Sequence, residues 1–203
     1  MKRMALFACL LCCVALAASF QLTSRAKAGG AGSRAFAPQY IQGTVVDISG
    51  RLAGRSRPFS LIINHYTSPD DIARLSAAMP QGQDALLNAL SKLEAGRIAI
   101  GTGVGVPANV IVATPTAEGG TKITVLYQRT VNFYELRYGA RSADYRVGYA
   151  EIYLNRSGTG EGTFIPAAKV RLRDGNTWEV EDFGEFPARL MGLRSRGSAG
   201  GAR

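Results

Sequence analysis

A change of period between residues 68 and 96 confines this sequence to a small set of folds. On either side of that stretch the chain reads as strands; within it, apolar residues recur at helical spacing. Residues 40–49 and 58–66 are rich in β-branched and aromatic side chains and predict the first two strands. After residue 96 come strand candidates at 97–101, 109–114, 122–133, 145–155, 162–173 and 177–183. Turn signals separate them at Glu118-Gly119-Gly120, Arg156-Ser157-Gly158 and Asp174-Gly175-Asn176. Helices set between runs of strands argue against a doubly wound parallel sheet. The expectation is an α+β domain: an antiparallel sheet, curved toward a half-barrel and packed by a helical hairpin over 69–95.

The helical stretch has readable ends. Ser68 can cap the free amides, Pro69 suits the first turn, and Asp70 and Asp71 complement the positive end of the helix dipole. Ile72, Leu75 and Met79 then share a face, and Pro80 and Gly82 interrupt the run. A second helix is expected over 84–95, carrying Leu86, Leu87, Leu90 and Leu93, with Gly96 as its C-terminal cap. The short break predicts an antiparallel helix pair that lays its leucines on the sheet.

One hairpin can be registered from the sequence alone. If Asp174-Gly175-Asn176 is a three-residue loop, Arg173 faces Thr177, Leu172 faces Trp178, Arg171 faces Glu179, Val170 faces Val180 and Lys169 faces Glu181. Apolar then meets apolar on one face and basic meets acidic on the other. A slip of one residue would reverse every side chain.

The N-terminus has the three parts of a secretory signal. Lys2 and Arg3 precede an uncharged run from residue 4 to 16, and Ala15-Leu16-Ala17 offers a small-x-small cleavage site. The apolar run is shorter than the ~20 residues a membrane-spanning helix needs. The expected organisation is a signal peptide at 1–19, a flexible Gly/Ala/Ser linker at 20–38, one domain at 39–194 and a tail at 195–203. No transmembrane helix is expected in the mature chain. Cys9, Cys12 and Cys13 all lie in the leader, so cleavage would leave a body without thiols. Removing Lys2 and Arg3 lowers the net charge from +9 to +7. The arginines cluster near 25–34, at 51–57 and at 189–203, which suits solvated surface or an anionic envelope surface better than nucleic acid.

Chemical motifs are sparse. Gly101-Thr102-Gly103-Val104-Gly105 follows a strand, yet Pro107 and then more strand sequence follow it, whereas a phosphate loop must open a helix. His65 is the one histidine, and alternation with Leu61 and Ile63 places it at the edge of the core. A hydrolase would use His65 or a carboxylate pair drawn from Glu135, Asp144, Glu151 and Glu161. One histidine and no mature cysteine leave no metal motif, and no cofactor is implied. The most unusual surface is aromatic. Tyr149, Glu151 and Tyr153 alternate on one strand face, opposite Ala150, Ile152 and Leu154, with Arg137 and Arg146 nearby. Tyrosine with arginine is the composition of recognition surfaces.

Two segments carry a family likeness: TSPDDIARLSAAMPQGQDALLNALSKLEAGRI and GYAEIYLNRSGTGEGTFIPAAKVRLRDGNTWEVEDFGEFPARL. They resemble a family of exported bacterial proteins that carries no assigned activity. The resemblance implies a periplasmic or extracellular address and brings no catalytic residue with it. The leading expectation is therefore a non-enzymatic exported domain that binds a partner protein or small ligand through Tyr149, Glu151, Tyr153, Arg137 and Arg146. Alternatives are a hydrolase, with His65 as a polar site, and a structural protein at an anionic envelope surface.

Overall fold

The computed structural model describes residues 38–47, 54–130, 144–173, 177–182 and 187–196. These form β1 (Gln39–Val46), β2 (Ser56–Ile63), α1 (Pro69–Ala78), α2 (Gln83–Leu90), β3 (Gly96–Ile100), β4 (Val106–Ala108) and β5 (Val110–Pro115). There follow β6 (Thr121–Gln128), β7 (Val147–Leu154), β8 (Thr159–Arg173), β9 (Thr177–Asp182) and β10 (Ala188–Arg196). The fold is α+β, with one antiparallel sheet ordered β4-β3-β2-β1-β10-β8-β7-β6-β5 and β9 paired to the far half of β8.

The sheet curls into a nearly closed barrel. Its two end strands, β4 and β5, are separated in sequence by Asn109 alone, so the chain steps from one edge of the sheet to the other in a single residue. A single core collects inward side chains from both ends of that path, among them Ile41, Leu61, Ile98, Ile111, Val125, Ile152, Phe164 and Leu190. Alternation along the strands separates this core from an outer face. Leu75, Leu86, Leu87 and Leu90 of the two helices cover part of that face, packing with Val110, Leu126, Val147 and Val170.

The helical segment starts as expected and ends early. Ser68 Oγ accepts the Asp71 N–H at 3.2 Å, and Pro69 opens α1. The anticipated hairpin becomes two short helices joined by a 3₁₀ turn at Met79–Gln81, and α2 stops at Leu90 instead of residue 95. The reason is a competing partner. The Asn109 carboxamide donates to the carbonyls of Leu90 and Leu93 at 3.1 and 2.8 Å, and the Ala95 N–H donates to Ala108 O at 2.9 Å. Gly96 is therefore not a helix cap but the first residue of β3. A Cβ there would lie 2.0 Å from the carbonyl oxygen of Ile62, so only glycine permits the strand contact.

Two strands escaped the sequence reading. β4 is three residues long. β10 hides its period: Leu190 and Leu193 are buried while Met191 and Gly192 between them are exposed, a spacing that resembles a helix. A bulge causes this. The pairing of β10 shifts register against both β1 and β8, and Gly192 takes a φ of +60°. The expected tail from residue 195 begins inside this strand, where the Ser195 N–H donates to Gly158 O at 2.7 Å. The β8–β9 register is as anticipated at all five pairs, from Arg173↔Thr177 to Lys169↔Glu181. The leader, the linker as far as residue 37, residues 174–176 and the end of the chain from 197 lie outside the described residues. Among the described residues, no helix is long and apolar enough to cross a membrane.

Candidate functional site

The outer face of β6, β7 and β8 carries the most organised polar cluster. Register builds it rung by rung: Lys122 lies opposite Tyr153, Thr124 opposite Glu151, and Leu126 opposite Tyr149. On the other side of β7, Glu161 lies opposite Tyr153 and Thr163 opposite Glu151. Side chains on directly opposed residues are near enough to interact. The alternate residues Ile123, Val125, Ala150 and Ile152 are fully buried in the barrel, which locks the polar set outward.

Glu151 is the centre. Its Oε2 accepts the Tyr149 hydroxyl at 2.5 Å and pairs with Lys122 Nζ at 2.7 Å. Its Oε1 accepts the Tyr153 hydroxyl. Partial burial works against the Glu151 charge, but the donors Lys122, Tyr149 and Tyr153 outweigh it and hold the carboxyl below its usual range. Burial, reinforced by the neighbouring carboxylate, pushes the Tyr149 phenol far up. The hydrogen bond to Glu151 raises Tyr153 as well. Partial burial opposes the Lys122 charge too, and Glu151 overcomes it, leaving the ammonium above its ordinary value. At neutral pH the cluster is thus a carboxylate, an ammonium and two protonated phenols. Each is held in its resting charge state.

Tyr153 joins this cluster to a concave surface. It is 43 % exposed, and it borders an open groove of about 810 Å³ between the β5–β6 and β7–β8 connections. Arg156, Glu118 and Glu161 also line the groove. Asn155 there is committed to its turn, its Oδ1 accepting from the N–H groups of Ser157 and Thr159. A second groove of about 440 Å³ shares Thr159, Gly160 and Glu161 with the first and reaches Met191 and Arg194 on β10. Met191 is 47 % exposed, so the joined surface has an exposed apolar side chain on each side of Glu161.

The other residues singled out from the sequence lie elsewhere. Arg146 turns to α2 and pairs with Asp84 at 3.3 Å. With Asp144 it borders an open polar cleft of about 900 Å³. Arg137 and Glu135 lie outside the described residues. His65 is exposed and not at the core edge, because β2 ends at Ile63 and the chain turns, the His65 N–H donating to Ala95 O at 3.2 Å. The Gly101–Gly105 loop links antiparallel β3 and β4, with φ of +82° and +81° at its two end glycines. Arg57 is held by Asp47 at 3.1 Å. Among the described residues, no group of three or more His, Cys, Asp or Glu side chains is placed to hold a metal ion. Sequence reasoning found Tyr149, Glu151 and Tyr153 by alternation but missed Lys122, Thr124 and Met191, whose places depend on pairing between strands. No family model, curated protein or solved structure matches this chain.

Proposed function

We propose that this protein is a non-enzymatic exported domain that binds a partner protein through the outer face of β6, β7 and β8, anchored on Tyr153. The observation that carries this reading is the Glu151 cluster: two tyrosine hydroxyls and the Lys122 ammonium converge on one carboxylate on an open strand face. Such side chains are already fixed, so docking on them loses little conformational freedom. An exposed aromatic backed by a fixed polar network is the kind of anchor on which binding energy concentrates. The groove that runs from Tyr153 past Glu161 to Met191 gives a partner segment a place to lie. The address rests on the leader: Lys2 and Arg3, the uncharged run to residue 16 and Ala15-Leu16-Ala17.

Tyr149 is unsuitable as a test because it packs under the helices with Leu126 and Val147. Tyr153→Ala is the informative variant. The wild-type protein should retain a discrete species from envelope extract, and the folded Tyr153→Ala variant should not. Identical recoveries would overturn the proposal.

A further inference from the structure

We propose that the outer face of β1 and β10, at the end where β1 starts and β10 stops, docks on an anionic lipid surface. Register lays out one rung of this face across four strands. Arg196 lies opposite Tyr40, Tyr40 opposite Ile62, and Ile62 opposite Arg97. The adjacent residues Ile41, Ile63 and Ile98 are buried in the barrel, so the rung points outward. The next outward rung sets Arg194 opposite Gln42 and Gln42 opposite Ser60. An exposed tyrosine and a half-buried isoleucine are thus flanked by arginines on both sides.

Charge decides what such a face can meet. Among the described residues neither Arg194 nor Arg196 has an ion pair, and Arg97 lies 3.8 Å from Glu94. On the β8 side Arg194 faces Thr159, and Glu161 lies further along that strand. Residues 20–37 lead into this end of the sheet and residues 197–203 lead out of it. They carry Arg25, Lys27, Arg34 and Arg203 and no acid. Cations spread along a strand face, instead of converging on one pocket, match an extended anionic surface. Arginine pairs well with phosphate, and tyrosine suits the boundary between headgroups and water. Arg194 also lines the end of the groove that leads from Tyr153, but Tyr40, Ile62, Arg97 and Arg196 do not. The face is therefore separate from the partner site at Tyr153.

Vesicle flotation tests this. Both core clusters draw on residues from Ile41 onward, so the chain from residue 20 keeps the described fold without the apolar leader. Vesicles of phosphatidylglycerol with phosphatidylcholine should carry that chain, vesicles of phosphatidylcholine alone should not, and added salt should release it. The double variant Arg194→Glu, Arg196→Glu, shown folded by circular dichroism, should bind about tenfold more weakly or worse. Tyr40→Trp, read in a Trp178→Phe background because Trp178 is the one tryptophan, should shift its emission to the blue on anionic vesicles. No binding to anionic vesicles, equal binding to neutral ones, unchanged affinity in the folded double variant, or no shift at position 40 would each overturn the proposal. Binding of a duplex oligonucleotide without binding of vesicles would reassign the face to nucleic acid and overturn it too. A lipid surface gives no discrete protein adduct, so a photo-crosslinker at Tyr40 that captured a single protein would also contradict it. Tyr153 is intact in every variant, so failure on vesicles leaves the Tyr153 reading standing.

Discussion

Asn109 Oδ1 accepts the backbone N–H of Gln128 at 2.7 Å, across the seam where the two ends of the sheet meet. The same carboxamide donates to Leu90 and Leu93, so one side chain ties the end of α2 to β6. Asn109 is only 6 % exposed, so losing those bonds leaves buried polar groups without partners. Asn109→Ala should cost about 3 kcal/mol, the penalty of unpairing buried backbone groups. Urea denaturation measures it. A loss below about 1 kcal/mol would mean that the seam does not depend on this side chain.

Inside the barrel, Tyr127 lies over Gly148, its partner across the β6–β7 ladder. A Cβ on Gly148 would fall 2.0 Å from the Tyr127 ring. The ring is also stacked on Phe164, with centroids 6.4 Å apart, and cannot yield easily. Gly148→Ala should therefore destabilise the domain by about 1–3 kcal/mol through overpacking. Restoring space with the double variant Gly148→Ala, Tyr127→Leu should recover part of that loss, and denaturation midpoints would record it.

Acid should loosen the Glu151 cluster. Its carboxyl is held below the ordinary value in the folded chain, so its contribution is complete above the unfolded carboxylate range and is lost as pH falls through the folded value. Exposure to solvent screens the pair, so wild type should exceed Glu151→Gln by no more than about 1 kcal/mol at pH 7. The difference should shrink steadily below about pH 4. Parallel thermal melts of the two proteins from pH 7 to pH 3 measure it. A difference that grows on acidification would contradict the assignment.

Gln83→Leu probes a buried amide nitrogen that has no partner among the described residues. Removing an unpartnered buried donor should stabilise the domain by about 1 kcal/mol. Thermal melts measure the change. A loss of stability would show that the amide already has a partner.

The parts of this fold legible in the sequence are those set locally. The β8–β9 register followed from a short loop flanked by complementary side chains. The start of α1 followed from Ser68, Pro69 and the two aspartates. Alternation alone put Tyr149, Glu151 and Tyr153 on the outer face. What stayed hidden depends on distant partners. Lys122 meets Glu151 only through the β6–β7 register, and those strands lie far apart in sequence, one ending at Gln128 and the next starting at Val147. The early end of α2 depends on Asn109, which is remote in sequence from the carbonyls it binds. β10 broke its own alternation at the Met191–Gly192 bulge, and only its neighbours β1 and β8 identify it as a strand. Arg146 looked like a companion of the tyrosines because it is close in sequence, but its partner Asp84 is on α2.

Site-specific photo-crosslinking in living cells tests the recognition face most directly. A benzophenone side chain would replace Tyr153, and in a matched control Tyr40, which is 46 % exposed on β1. Illumination should yield a discrete covalent adduct from position 153 and none from position 40. No adduct from position 153, or the same adducts from both, would contradict a partner site at Tyr153.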